Sequence, residues 1–113
     1  MLFCVFTIQK LNAINTNDTS YVVTLLKQSS EFQRSNVDSC YKMAQDALLL
    51  SKQLNYPHGI AGAHNQLAAV MMIRGKEDSA LYYCNQSLLV SVPNQYYKHT
   101  IYTHLLRSYI YQD

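Results

Sequence analysis

Tryptophan is absent from the chain, proline occurs twice and glycine three times, and only 14% of the 113 positions are charged. Each scarcity excludes something. Two prolines and three glycines are too few for the many tight turns of an all-β chain. Nine Lys and Arg against seven Asp and Glu leave a net charge of +2, without the clustered basic excess of a dedicated nucleic-acid binder. No run of 18 or more apolar residues exists, so the sequence holds no complete transmembrane helix. Cys4, Cys40 and Cys84 are odd in number and far apart. That fits neither a disulfide framework nor a metal knuckle, which needs ligands close in sequence. Cys40 and Cys84 therefore read as small buried apolar residues.

Catalytic signatures are missing as well. There is no GxSxG, no HExxH and no phosphate-binding loop. The carboxylates are scattered: Asp38, Asp46, Glu77 and Asp78 read as helix caps and solvated faces. His99 and His104 are five apart and point to different sides of a helix. His64 and His104 sit on equivalent helices, but no carboxylate stands at ligand spacing from either. Both read as packed or groove-lining residues, and His58 reads as a loop residue without a role. No enzyme, metal or cofactor is expected.

What is present is 49% hydrophobic residues, enough for one ordered domain. Residues 1–17 form an apolar leader, Met1 to Ile8, followed by a polar linker. Two readings stand side by side: a secretory signal that has lost its basic start, or a short apolar tail packed on the domain. The first implies export, to the periplasm in a bacterium, and the second a cytoplasmic protein. Residues 18–113 form the domain. The sequons at Asn17 and Asn85 carry no weight, because such triplets arise by chance.

Within the domain one segment is written twice, at a spacing of 40. Asp38-Ser39 falls on Asp78-Ser79, Leu48-Leu49 on Leu88-Leu89, and Ser51 on Ser91, while Ala44 falls on Cys84 and Ala47 on Ser87. Apolar steps of three and four predict five helices. The first begins at Asp18 or Thr19. The second runs from Asp38, as cap, to Leu54, and Pro57 with Gly59 ends it. The third covers Ile60 to Arg74 and closes on Gly75. The fourth starts at Glu77 or Asp78 and stops at Pro93, and the fifth starts near Asn94. Nothing alternates as a strand does. The fold class is all-α, with short loops that make neighbours antiparallel.

The stretch from Ala63 to Leu88 resembles a tetratricopeptide repeat. His64 takes the first large position, Leu67-Ala68 the Leu-Gly pair and Met71 the aromatic. Gly75 keeps the turn, Ala80 the small contact residue, and Cys84, beside Tyr83, the second aromatic. Ser87 and Leu88 follow, and Pro93 lies one past the usual proline. The last helix supplies Leu105-Leu106 and Tyr109 at a spacing of 38. The resemblance implies a solenoid of about two and a half repeats, with Leu67, Ala68, Met71, Gly75, Ala80, Cys84 and Leu88 as its defining packing residues. The extra residues of the 40-residue period look like the arrays in sensor kinases and transcriptional regulators of Bacteroidetes.

The function so implied is a non-catalytic protein- or peptide-binding module, the sensory or scaffold segment of a bacterial signalling protein. Its concave face would be lined by Asn65, Gln66, Ala69, Met72, Thr103, His104 and Arg107. The family's carboxylate clamp is disfavoured, since only Asn65 and Arg107 have suitable chemistry. The alternative is a structural spacer that self-associates. Tyr97, Ile101, Tyr102, Leu105, Leu106, Tyr109 and Ile110 wrap more than one face of the last helix, which implies a homodimer through this end or a further helix.

Overall fold

A computed structural model of the chain describes residues 18–111, so the expectation for the apolar leader lies outside the described residues. Five helices follow one another: α1 (Thr19–Glu31), α2 (Val37–Gln53), α3 (Pro57–Ile73), α4 (Glu77–Ser91) and α5 (Tyr97–Ile110). No strand occurs among the described residues.

The helix starts follow capping chemistry, with three departures from expectation. Asp18 caps α1 by accepting the Tyr21 N–H at 3.1 Å. At α2 the cap is Asn36, whose Oδ1 accepts the Ser39 N–H at 3.2 Å, rather than Asp38. Asp38 lies in the first turn, where a carboxylate also suits the exposed N–H groups, and it pairs with Arg74 at 2.6 Å. Pro57 and Gly59 do not end a helix; they open one. Pro57 is the first residue of α3, where its missing N–H is no loss. The turn before it is made by Asn55 at φ 56°. The third departure is α5, which starts at Tyr97 rather than near Asn94, because Gln95 also takes a positive φ, 60°. Gly75, at φ 75°, makes the turn between α3 and α4, a conformation that glycine adopts without strain.

These details carry a repeat sharper than the sequence match. Asn55 and Gln95 are equivalent left-handed residues, 40 apart. After each, a tyrosine N–H donates back across the turn: Tyr56 to the Ser51 carbonyl at 2.8 Å, and Tyr96 to the Ser91 carbonyl at 2.9 Å. The four buried residues of α2 are Cys40, Ala44, Ala47 and Ser51. Those of α4 are Ala80, Cys84, Ser87 and Ser91, each 40 further on. The period is therefore 40 through the start of α5. The expected spacing of 38 at the last helix is corrected: the two-residue difference falls between the starts of α1 and α3, at Asp18 and Tyr56.

Side-chain contacts give the directions. Asp38 at the start of α2 meets Arg74 past the end of α3, and Ser87 late in α4 donates to the Ala61 carbonyl early in α3 at 3.1 Å. Both pairs are thus antiparallel. His58 meets His99 at the starts of α3 and α5, and Ala69, further along α3, packs in one cluster with Leu106 and Ile110 of α5. Those two helices run the same way. The odd helices form one layer with α3 at its centre, touching α1 and α5, and α2 and α4 lie across them. That place explains why α3 is apolar nearly all round. Leu67, Ala68, Met71, Ala80 and Cys84 are buried, while Leu88 is half-buried. Small residues at Ala61, Ala68, Ala80 and Ser87 let α3 and α4 approach closely.

Candidate functional site

A concavity shaped by side chains of several helices lies between the α1–α2 turn, the end of α3 and the second half of α5. Its volume is about 660 Å³. One wall is α5, with Tyr102, Leu105, Leu106, Tyr109 and Ile110; Met72 and Gly75 face it from the end of α3. Gln33, Arg34 and Glu77 complete the lining. A second hollow of about 540 Å³ continues it past Gln33, Arg34 and Met72 to Ser35, Val37 and Ile73. The α5 residues reach this wall because 102, 105, 106, 109 and 110 share one side of the helix. The groove is thus an apolar trough with a cation and an anion in its lining. Burial holds the Tyr102 phenol above its ordinary pKa, so it is a neutral hydrogen-bonding group at physiological pH.

Of the seven residues expected to line a concave face, only Met72 does so. The correction has a physical cause: α3 and α5 touch directly along the surface where the groove was expected. Asn65 is 2% exposed and Thr103 0%. The Asn65 amide donates to the His99 carbonyl at 3.2 Å, and Thr103 Oγ1 donates to Asn65 Oδ1 at 2.6 Å. The Thr103 hydroxyl also lies 2.7 Å from the His99 carbonyl, but its single proton serves one acceptor at a time. Ala69 is sealed in the cluster with Leu106 and Ile110. Gln66 points to the other side, where its Oε1 lies 3.5 Å from Ser29 Oγ of α1. Arg107 is half-buried beside Cys84 of α4, with its guanidinium 5.8 Å from the centre of the Tyr111 ring. His104 is exposed.

His64 and His104 share no hydrogen bond or ring contact among the described residues. His64 is 7% exposed, and its Nδ1–H donates to the Ile60 carbonyl at 3.0 Å. Burial lowers its pKa against that bond, which raises it, and Lys52 lowers it further. Burial likewise pushes the Cys84 thiol up, opposed by Arg107, which leaves it protonated and unreactive.

The cluster that sequence reasoning missed involves His58. It lies in the first turn of α3 rather than in a loop. Its ring stacks on Tyr96, centroids 3.8 Å apart, and its Nδ1 is 3.2 Å from Nε2 of His99. The exact 40-residue echo of Tyr56 in Tyr96 is the signal that could have placed it, since it brings the two helix starts side by side. Among the described residues no three His, Cys, Asp or Glu side chains converge.

No family model, curated protein or solved structure matches this chain. Among the described residues no helix is long and apolar enough to cross a membrane.

Proposed function

We propose that the chain is a non-catalytic helical-repeat module of tetratricopeptide type, and that its α5 groove takes an apolar segment of a partner protein. The carrying observation is the trough itself, walled by Tyr102, Leu105, Leu106, Tyr109 and Ile110 and lined further by Arg34 and Glu77. Large aromatic and aliphatic side chains supply contact area, and Met72 adapts its shape to the occupant. The two charges would fix the direction of the bound segment. The two-layer alternation of helices and the 40-residue echo of caps and buried residues support the repeat assignment. The resemblance in the Ala63–Leu88 stretch extends it to the sensory or scaffold part of a bacterial signalling protein.

A peptide library displayed on phage and selected on the full chain tests this reading. Enrichment of peptides carrying aromatic and aliphatic residues is expected. Leu105→Asp should weaken the selected peptides at least about tenfold, since a desolvated contact of this kind is worth more than about 1.4 kcal/mol. Leu49→Asp, on the exposed face of α2, should leave them unchanged. No enrichment, or equal loss from both variants, refutes the reading.

A second reading is self-association, and one observation favours it. Tyr97, Ile101, Leu105 and Tyr109, four apart in sequence, are each more than half exposed along α5. Such a stripe lacks the neighbour that α4 provides for α3. Light scattering separates the readings: a dimer that Ile101→Asp dissociates would favour the spacer.

A further inference from the structure

We infer that His58 and His99 form an acid-labile clasp that holds the start of α5 against the start of α3. The two rings meet through Nδ1 and Nε2 at 3.2 Å. An N–H···N bond needs one ring to donate and the other to accept through a free lone pair. One proton on the pair preserves that bond. A second proton turns both facing atoms into donors on cationic rings, and attraction becomes repulsion.

His58 is exposed to water and His99 half-buried, and none of the protein groups around them supplies a negative charge to a doubly protonated pair. From α1, Val23 and Leu26 face it. From α3 come Tyr56 and two glycines, Gly59 and Gly62. From the start of α5 come Tyr96, Tyr97 and Lys98, with Gln95 beside them. No carboxylate stands among these groups, and the one formal charge they include is the cation of Lys98. Both histidines lie in the first turn of a helix, where the free N–H groups disfavour positive charge. His58 is also held flat against Tyr96, so it moves away only by giving up the stack.

Burial lowers the His99 pKa, and His58 lowers it further. The clasp is therefore complete above about pH 6.5, the ordinary histidine value, and is lost as pH falls through the lowered one. The other side-chain bridge between α3 and α5 among the described residues runs from Asn65 to the His99 carbonyl and to Thr103, the latter one turn further along α5. Loss of the clasp thus frees the first turn of α5 before the rest. The inference concerns the docking of α5 and stands whether or not the groove binds a peptide.

The test combines imidazole NMR titration with amide hydrogen exchange on the full chain between pH 8 and 5. The His99 ring should titrate below the ordinary histidine value. Protection of the first helix-bonded α5 amides, from Thr100 onward, should drop about tenfold more than that of central α3 amides between pH 7 and 5, the equivalent of about one pKa unit. His58→Gln, which hydrogen-bonds without charging, should remove most of that difference and move the His99 pKa back toward 6.5. His64→Asn should leave the difference in place, because His64 faces Tyr83 and the Ile60 carbonyl rather than α5. Parallel loss of protection in α3 and α5 overturns the proposal, as does an unchanged α5 step in His58→Gln. Should that variant not fold, a His99 ring that titrates at the ordinary histidine value in the unaltered chain overturns it equally.

Discussion

Replacing Gly59 by alanine sets helix propensity against packing. Gly59 is the third residue of α3, a helix whose neighbours are alanine-rich. On propensity alone, Gly59→Ala would stabilise the chain by up to about 1 kcal/mol. The surroundings predict the opposite. A methyl group there would overlap Ser51 Oγ and come within 2.8 Å of both Tyr56 Cδ2 and Val22 Cγ1. Val22 and Ser51 are fully buried, so neither swings clear without disturbing α1 or α2. Overpacking of this kind costs about 1–3 kcal/mol, and three crowded neighbours put it in the upper half of that range. The net expectation is destabilisation by about 1–2 kcal/mol, a fall in Tm of roughly 5–15 °C for a domain of this size. Thermal unfolding followed by circular dichroism measures it. Ser51 Oγ has no hydrogen-bond partner among the described residues, so adding Ser51→Ala should return part of the loss, a non-additivity expected of touching residues. An unchanged or higher Tm for Gly59→Ala would refute the close packing of Gly59 against Ser51, Tyr56 and Val22.

Asn65→Ala should cost about 1–3 kcal/mol, because it leaves buried groups on α5 without their partner. Thr103→Val should cost a similar amount, and the double variant should fall short of the sum by at least about 0.5 kcal/mol; strict additivity in urea titrations would show that the two side chains do not share a bond. His64 is buried with its pKa lowered, chiefly by desolvation. The stability it contributes is fully present above about pH 6.5 and declines as pH falls through the lowered value. Chemical denaturation at pH 7 and pH 5 should therefore show lower stability in acid, and His64→Asn should flatten that dependence.

How much of this was legible beforehand differs from element to element. Helix α4 could be read almost completely, because Gly75, the acidic first turn and Pro93 are local signals, and α2 was read correctly apart from its cap. The stretch Leu54–Ile60 was misread. Proline and glycine together usually mark a break, yet proline fits equally well at the first position of a helix. The preceding turn was made by Asn55 and the later one by Gln95, neither of which announces a positive φ as glycine does. Misplacing that turn moved the start of α3 and hid His58 in a loop.

Sequence alone determined that the chain is helical, that its core is built of small and medium side chains, and that a unit of 40 residues recurs, because these follow from spacing along one helix and from chemistry at its ends. It could not determine which polar residues of α3 and α5 would be wet. Asn65 and Thr103 look like groove residues by their polarity, but the direct contact of the two parallel helices turns them into a buried bridge. Tyr102, Leu105 and Tyr109 look like packing residues by their apolarity, yet they form the open wall of the trough. The tertiary structure decides this because exposure depends on the distance between helices that are far apart in the chain. Between α3 and α5 that distance is short enough for Asn65 to reach Thr103 and the His99 carbonyl.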